Sequence, residues 1–202
     1  MSRMTATERR AQLVEIARTV FAKRGYEGTS VEEIAARAKV SKPIVYEHFG
    51  GKEGIYAVIV DREMEYIVRR ITEAIATGSP RERVEQAALA FLTYVRDHPD
   101  GFAILAQDTP LLSKGGIASL LNDLAERVGG VFAAAFGTAG YDARSAPIYA
   151  NALIGMVTFV GKWWTDVRKP SVEDVAAHIA ALAWMGLRHL PKRPRISGRK
   201  TT

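Results

Sequence analysis

The sequence predicts an all-α protein with two helical domains. Apolar residues recur at every third or fourth position through most of the 202 residues, as they do along one face of an α-helix. No stretch alternates apolar and polar residues for long enough to indicate a sheet. Two short helices with readable start signals and a tight turn lie between Thr29 and Lys52. We expect domains at residues 1–51 and 52–190, followed by a basic, disordered tail at residues 191–202.

The composition excludes several kinds of chemistry. The chain has no cysteine, so disulfides and thiol catalysis are excluded, and its four histidines are scattered rather than grouped as metal ligands. The sequence also lacks a nucleophile elbow and a phosphate-binding glycine loop. His98 stands between Asp97 and Pro99, which is more typical of a helix end than of a catalytic base. We therefore expect no enzyme activity, no cofactor and no metal.

The net charge of +6 comes from the end of the chain. Six basic residues and no acidic one follow Leu187, so residues 1–187 hold 22 of each sign. Residues 1–52 contain ten basic and six acidic residues, and this local excess of +4 favours a surface that faces phosphates. The basic tail either adds non-specific DNA affinity or is a solvated, disordered end. Near the N-terminus, charged residues such as Arg3 and Glu8 interrupt any apolar signal segment, so we expect a cytoplasmic protein.

The first helix has a clear apolar face. Thr5 or Thr7 can cap its start, and Gly25 ends it. Leu13, Ile16, Ala17, Val20 and Phe21 recur at helical spacing and form the face. This helix is long enough to brace two short ones, so we expect a three-helix module from about residue 7 to residue 49.

Two short helices follow the first. Thr29 or Ser30 can cap the earlier one, because each has a glutamate three residues later for a reciprocal capping box. Ser41 can cap the later one, which leaves residues 39–41 as the turn. A helix-turn-helix of this kind places its second helix in the major groove of DNA. The alternative is an ordinary pair of packed helices, which any compact helical protein can contain.

A long helix is predicted from Lys52 to about Gly78. A lysine in the first turn faces the positive end of the helix dipole, which is unfavourable unless an anion such as a DNA phosphate binds there. An exposed lysine of little energetic consequence is the alternative. Further helices are predicted at residues 81–98, about 100–108 and 117–136, with loops at 111–116 and 137–147.

The last two helices, at residues 146–167 and 171–189, are predicted to form a dimer interface. The first of them is apolar on nearly every side, but Asn151, Thr158 and Lys162 interrupt it, which argues against a membrane span. One small domain cannot easily cover so much apolar surface, and a homodimer with a four-helix interface is the simplest solution. The interface residues we expect are Leu153, Val157, Val160, Trp164, Val175, Ile179 and Leu182.

The segment from Thr7 to Ile59 contains a specific combination of motifs. Within FAKRGYEGTSVEEIAARAKVSKPIVYEHFGGKEGIY these are Gly25-Tyr26 with Thr29-Ser30, Val40-Ser41-Lys42, Tyr46, His48-Phe49 and Lys52-Glu53. With these motifs the chain resembles the TetR family of transcriptional repressors. The resemblance implies a ligand-responsive repressor that binds double-stranded, palindromic operator DNA as a homodimer through its last two long helices. An activator, or a ligand-binding dimer without DNA recognition, is the alternative.

The resemblance also implies a set of DNA-contacting residues. Thr29 or Ser30 offers the first turn of its helix to a phosphate, and Lys52 clamps the DNA backbone. The residues that lie at the DNA surface are Lys42, Pro43, Ile44, Tyr46 and His48. Glu47 either accepts a hydrogen bond from a cytosine amino group or faces solvent.

Beyond residue 60 the chain is similar to actinobacterial-type members of the family that are linked to lipid metabolism, through FLTYVRDHPDGFAIL and KWWTDVRKPSVEDVAAHIAALAWMGLRHLP. This similarity implies a hydrophobic small-molecule effector, a long-chain acyl group or acyl-CoA, that releases or tightens the operator complex. The expected pocket wall, each residue of which is otherwise ordinary core, is Phe91, Tyr94, Phe102, Leu105, Leu120, Leu124, Met156, Phe159 and Trp163. Asn151 adds a polar group that either contacts the ligand or faces solvent.

Overall fold

The fold is that of a computed structural model, which describes residues 4–106 and 117–195 and, at residues 117–121, the backbone alone. Within these ranges every regular element is a helix, which confirms the predicted all-α class. In chain order the helices are α1 (Ala6–Arg24), α2 (Val31–Ala38), α3 (Lys42–Phe49), α4 (Lys52–Ala74), α5 (Pro80–Asp97), α6 (Pro99–Leu105), α7 (Ile117–Ala139), α8 (Ala146–Val167) and α9 (Val172–Arg188), with a 3₁₀ turn at Ala143–Ser145.

The described chain forms two compact units. The first comprises the described residues of Met1–Arg69 and Tyr94–Leu120, and the second those of Arg70–Thr93 and Leu121–Thr202. The first unit therefore holds α1, α2, α3 and α6 together with most of α4. The boundary predicted after residue 51 stays a prediction, because the compact unit that contains the first three helices continues to Arg69.

Helix α1 begins with a complete capping box. The Thr5 hydroxyl accepts the Glu8 N–H at 3.2 Å, and the Glu8 carboxylate accepts the Thr5 N–H at 2.7 Å, so the N-cap is Thr5 and not Thr7. Gly25 ends the helix as predicted, at a φ of 71° that favours glycine. The buried face consists of Leu13, Val14, Ala17, Val20 and Phe21.

Aromatic side chains form part of the core of the first unit. Helix α1 packs against α2 and α6, and α2 packs against α3. The Tyr56 ring lies edge-on to Phe21 and to Tyr26, with 4.9 Å between ring centroids in both pairs. This cluster fixes the chain between α1 and α2 against the first turns of α4.

A buried polar cluster joins α1, α4, α5 and α6 in the same unit. The Glu63 side chain is almost fully buried; its carboxylate accepts the Tyr94 hydroxyl at 2.8 Å and pairs with the Arg18 guanidinium at 3.3 Å. Gly101 lies directly against this carboxylate, and a Cβ atom at that position would be 2.3 Å from Glu63 Oε2. His98 is the N-cap residue of α6, in agreement with the helix end predicted there.

The second unit corrects one predicted loop. Residues 137–147 were expected to be irregular, but α7 continues to Ala139, and the 3₁₀ turn and the start of α8 occupy residues 143–147. The run of alanines in the last turns of α7 favours helix strongly enough to outweigh Gly137. Gly140, at a φ of 75°, then ends that helical segment.

Helices α8 and α9 are joined by a short, well-bonded connection. Helix α8 spans the predicted residues, and the Ser171 hydroxyl caps α9 by accepting the Asp174 N–H at 3.1 Å. The Trp164 indole N–H donates to the Pro170 carbonyl at 2.8 Å. Among the helices that the structure describes, none combines the length and the apolar character needed to cross a bilayer.

The chain after α9 folds back on the second unit. The Tyr141 hydroxyl donates to the Leu190 carbonyl at 3.1 Å, which anchors the chain directly before the predicted tail. Residues 196–202 of that tail, the predicted loop at residues 111–116 and the side chain of Leu120 lie outside the described residues.

Candidate DNA-binding surface

Helix α3 is eight residues long, and its fully buried side chain is Val45. Ser41 is the N-cap residue, as predicted, but its side chain makes no cap hydrogen bond. The predicted position of the cap is correct, and the predicted capping hydrogen bond is absent from it. Gly50 ends the helix at a φ of 72°, with its N–H on the Tyr46 carbonyl at 2.8 Å. Helices this short are marginal alone, so packing through Val45 and contacts at the two ends set the position of α3.

The residues predicted to contact DNA lie largely on the exposed side of α3. Lys42, Pro43 and Tyr46 are exposed, and Ile44 and His48 are half-buried. Tyr46 is 47% exposed, so its ring and hydroxyl are accessible to a partner. The surface combines a cation, an aromatic ring and small apolar groups, which are the chemistries used to contact phosphates and base edges.

Lys42 is held above this surface by a neighbour on α2. Its ammonium pairs with the Glu32 carboxylate and lies 5.7 Å from the centre of the Tyr46 ring. The hydrogen bond from Lys42 keeps the pKa of Glu32 below its ordinary value, and the same bond raises the pKa of Lys42. Both groups are exposed, so the pair orients Lys42 and adds little stability.

At the start of α2, Thr29 and Ser30 have different roles, although the sequence allowed either of them to be the N-cap. Ser30 is the N-cap, and its hydroxyl accepts the Glu33 N–H at 3.1 Å. Thr29 is buried, and its hydroxyl donates to the Gly25 carbonyl at 2.7 Å. Ser30 is therefore the residue at the accessible end of α2, whereas Thr29 stabilises the turn before it.

Lys52 begins α4 and is half-buried. Its ammonium donates to the Tyr26 carbonyl at 3.0 Å and lies 4.2 Å from the centre of the Tyr26 ring. An ammonium has three N–H donors, so these contacts fix the group and still leave it able to reach a phosphate.

Arg10 contacts α3, and nothing in the sequence indicated this contact. Its guanidinium, on α1, donates to the His48 carbonyl of α3 and lies over the Phe49 ring. A basic residue near a chain start has no sequence signal that distinguishes such a contact from a solvated charge.

The residues predicted to line an effector pocket are placed in different environments. Phe91, Tyr94, Phe102, Leu105 and Leu124 are buried, and Met156 is half-buried. Asn151 is exposed and lies at an open cavity of about 480 Å³ in the second unit, whose polar lining also includes the exposed side chains of Asn122, Glu126 and Arg144. Its side-chain amide donates to the Pro147 carbonyl at 2.8 Å.

Phe159 and Trp163 depart from the predicted pocket wall. Both lie on the exposed side of α8, and Phe159 is 77% exposed. The reason is the orientation of α8, which turns Ala146, Ala150, Gly161 and Trp164 towards the interior of its own unit.

The residues predicted for the dimer interface divide in the same way. Trp164, Val175 and Ile179 are buried within the single chain, and Leu153, Val157 and Val160 are half-buried. Leu182 is 68% exposed on α9. The apolar face that α8 and α9 leave uncovered consists of Ile148, Phe159, Trp163, Leu182 and Met185.

Two family models match the chain. Residues 13–59 match the model for bacterial regulatory proteins of the tetR family, and residues 80–186, more than half of the chain, match the model for the tetracyclin repressor-like C-terminal domain. The chain belongs to the TetR family of bacterial transcriptional regulators. The TetR-family match from residue 13 to residue 59 contains α2, α3 and Lys52, and it begins after Arg10.

Relatives of known role in the TetR family include both kinds of regulator. The HTH-type transcriptional activator FasR of Mycolicibacterium smegmatis is 28% identical over 192 residues, which cover 94% of this chain and 88% of FasR. The HTH-type transcriptional repressor KstR2 of Mycobacterium tuberculosis is 26% identical over 116 residues, which cover 57% of this chain and 58% of KstR2. The crystal structure of a TetR-like transcriptional regulator from Rhodococcus sp. RHA1 matches with a TM-score of 0.75 and 26% identity, over 93% of this chain and 100% of that one.

Membership of the TetR family makes the protein a transcriptional regulator and not an enzyme. In the part of the chain that the structure describes, no three histidine, aspartate or glutamate side chains come together as a metal site.

Proposed function

We propose that the chain binds a palindromic operator as a homodimer and regulates transcription there in response to a hydrophobic effector. The observation that carries the proposal is the exposed side of α3, where Lys42, Pro43 and Tyr46 face outwards while Val45 holds the opposite side in the core. In this role α3 enters the major groove, and the first turn of α2 faces the phosphates of the same half-site.

The contacts divide into positioning and sequence reading. Lys42, Lys52 and the end of α2 at Ser30 bind phosphates, which fixes the register of the protein on the duplex without reading bases. Pro43, Ile44, Tyr46 and His48 supply the groups that meet base edges and thymine methyls. Glu32 holds Lys42 in the free protein, and Lys42 exchanges the Glu32 carboxylate for a phosphate in the complex.

The homodimer is supported by the uncovered apolar face of α8 and α9. A monomer rarely exposes several large apolar side chains on one face without a partner. We propose that Ile148, Phe159 and Trp163 of α8, with Leu182 and Met185 of α9, are covered by the same residues of a second copy, as a two-fold interface requires. At about 100° per residue, Val157 lies on the side of α8 opposite Ile148 and Phe159, so Val157 is not part of the proposed interface.

The dimer is tested by introducing a charge at its centre. Leu182→Glu is expected to give a monomer in sedimentation velocity at concentrations where the wild type is a dimer, because an unpaired carboxylate cannot be buried cheaply. Val131→Glu, at a valine on α7 that is 51% exposed, is the matched control and should remain dimeric. A dimeric Leu182→Glu variant would contradict the interface.

The effector site is proposed in the cavity beside Asn151. Its volume of about 480 Å³ falls in the range of small-molecule sites, and its lining combines alanine and glycine surfaces with four polar side chains. The similarity to lipid-linked members of the family makes long-chain acyl groups and acyl-CoA the first effectors to titrate. Binding that differs between the free and the DNA-bound protein then releases or tightens the complex.

Repression and activation are both open to such a protein. Repression is the prediction from the sequence, and the match to the activator FasR over nearly the whole chain favours activation. A reporter fused to the bound promoter, compared with and without the gene for this protein, separates the two, since expression rises on deletion of a repressor and falls on deletion of an activator.

DNA binding is tested with duplexes tiled across the DNA that flanks the gene of this protein. We expect at least one duplex to bind much more tightly than the others, with an affinity that falls steeply as salt rises. Binding to none of them at low salt, by a protein that still binds an acyl effector, would favour the alternative of a ligand-binding dimer without DNA recognition.

A further inference from the structure

Arg10 connects α1 to the C-terminal end of α3, the helix that we propose enters the major groove. One guanidinium N–H donates to the backbone carbonyl of His48, and the guanidinium carbon lies 4.3 Å from the centre of the Phe49 ring. The side chain is half-buried, and 38 residues separate it from His48 in sequence. One arginine therefore holds both a carbonyl and a ring in the last turn of α3.

The contact lies at the C-terminal end of α3, where it can affect the orientation of that helix. The last four carbonyls of a helix have no partner within it, and the end of the helix carries a partial negative charge. In α3 the Gly50 N–H donates to the Tyr46 carbonyl, and the Arg10 guanidinium donates to the His48 carbonyl. A cation at a helix C-terminus is favourable, and a guanidinium is suited to a carbonyl and an aromatic face together.

The other end of α3 is held less firmly. Its N-cap residue Ser41 makes no side-chain bond, and Lys42 is paired only with Glu32 in an exposed ion pair. Val45 holds the middle of the helix in the core, and α3 packs along α2. The half-buried contact with Arg10 adds a direct link from α1 to the last turn of α3.

We propose that Arg10 is a positioning residue for operator recognition, which orients α3 through its last turn and does not itself bind a phosphate. The proposal rests on the proposed operator binding and deepens it. It adds a residue that the family match does not contain, because that match begins at residue 13.

The first test measures affinity against salt. Arg10→Gln and the matched control Arg9→Gln each remove one positive charge from neighbouring positions of α1, and the Arg9 guanidinium contacts Gln12 of its own helix. We expect Arg10→Gln to lose roughly tenfold or more in operator affinity relative to Arg9→Gln, since a charged hydrogen bond to α3 is lost. The slope of log affinity against log salt should be the same for the two variants.

A direct phosphate contact gives a different result. Each phosphate contact contributes about 0.9 to that slope, so a dimer that loses two contacts would show a slope lower by about 1.8. A slope lower for Arg10→Gln than for Arg9→Gln, or an operator affinity of Arg10→Gln equal to that of Arg9→Gln, would overturn the proposal.

The second test needs no DNA, so it tests the positioning role of Arg10 separately from the proposed operator binding. Hydrogen exchange of the free protein should be faster at the backbone amides of Phe49 and Gly50 in Arg10→Gln, and unchanged there in Arg9→Gln, while the amides of α2 stay protected in both. Unchanged exchange at the end of α3 would refute the positioning role even if operator binding is confirmed. A wild-type protein that selects no operator would refute the proposed function, and the exchange result would still decide the role of Arg10.

Discussion

Replacing Gly101 with alanine places a methyl group inside the buried polar cluster. A Cβ atom there would lie 2.3 Å from Glu63 Oε2, 2.4 Å from Glu63 Cδ and 2.7 Å from the Tyr94 hydroxyl oxygen. Non-bonded carbon contacts are comfortable at about 3.5 Å or more, so the carboxylate must move by roughly 1 Å or the backbone of α6 must shift. The carboxylate cannot move that far and keep its 2.8 Å bond from Tyr94 and its 3.3 Å contact with Arg18.

The cost follows from those contacts. Losing a hydrogen bond to a buried charge costs about 1.5–3 kcal/mol, and overpacking a filled site costs about 1–3 kcal/mol. Alanine in place of glycine within a helix returns about 1 kcal/mol at most. We therefore expect Gly101→Ala to lower the free energy of unfolding by about 2–4 kcal/mol.

Gly130→Ala is the matched control. Gly130 also lies within a helix, α7, and nothing lies within 4 Å of a Cβ atom built on it. This variant should be more stable than the wild type by about 0.5–1 kcal/mol, through helix propensity alone. Urea unfolding followed by circular dichroism measures both variants, at one fixed protein concentration because the proposed dimer would make the stability depend on concentration.

A third measurement identifies the cause. In a Glu63→Ala background the carboxylate is gone, so Gly101→Ala should cost much less than in the wild type, which a double-mutant cycle reports as a favourable coupling. A Gly101→Ala variant as stable as Gly130→Ala, or an equal cost in both backgrounds, would show that the carboxylate of Glu63 is not packed against Gly101.

Three further variants test other parts of the structure. Burial, together with the neighbouring Glu63 carboxylate, raises the pKa of Tyr94 above its ordinary value of 10.0. The protonated phenol therefore contributes stability that is fully present below pH 10 and is lost as the pH rises above 10. Tyr94→Phe should make the loss of stability above pH 10 less steep, as measured by urea unfolding at a series of pH values. Lys42→Gln should lower the salt slope of operator binding by about 1.8 per dimer, whereas Lys23→Gln, at an exposed position in the last turn of α1, should leave it unchanged. Asn151→Ala should weaken the response to an acyl effector and leave operator affinity as it is, and an unchanged effector titration would remove Asn151 from the site.

The sequence predicted best what depends on local chemistry. The bounds of α8, the Ser171 cap of α9 and the stop at Gly25 were all correct, because proline, serine and glycine act on the backbone next to them. The loop predicted at residues 137–147 is wrong for a local reason too, since the helix propensity of the alanines before it outweighs the effect of one glycine.

Side-chain environments were harder to predict than helices. Trp163 and Trp164 are adjacent, so they point about 100° apart on α8, and composition alone does not tell which one faces the interior. The structure buries Trp164, which then bonds to the Pro170 carbonyl, and exposes Trp163. The sequence assignment placed Trp164 in the dimer interface and Trp163 in the pocket, so a difference of one residue in helical phase changed both.

Contacts between distant residues could not be predicted at all. The carboxylate of Glu63 meets a hydroxyl 31 residues away, and Arg10 meets a carbonyl 38 residues away. Neither pair has a signature in a single sequence, because the first depends on how α4 is placed against α5 and the second on how α1 is placed against α3. The proposed DNA-binding surface could be put forward from the sequence because its residues lie within one short segment, whereas the groups that support it do not.

Selection from a pool of random duplex DNA by the purified protein tests the central claim most directly. We expect the bound pool to converge on an inverted repeat whose half-site centres lie one helical turn apart, about 34–36 Å, or a multiple of that distance. The Leu182→Glu variant should fail to enrich that repeat, because each half-site binds weakly alone. A bound pool with no sequence preference at low salt, or enrichment of a single asymmetric site, would contradict operator recognition by a two-fold dimer.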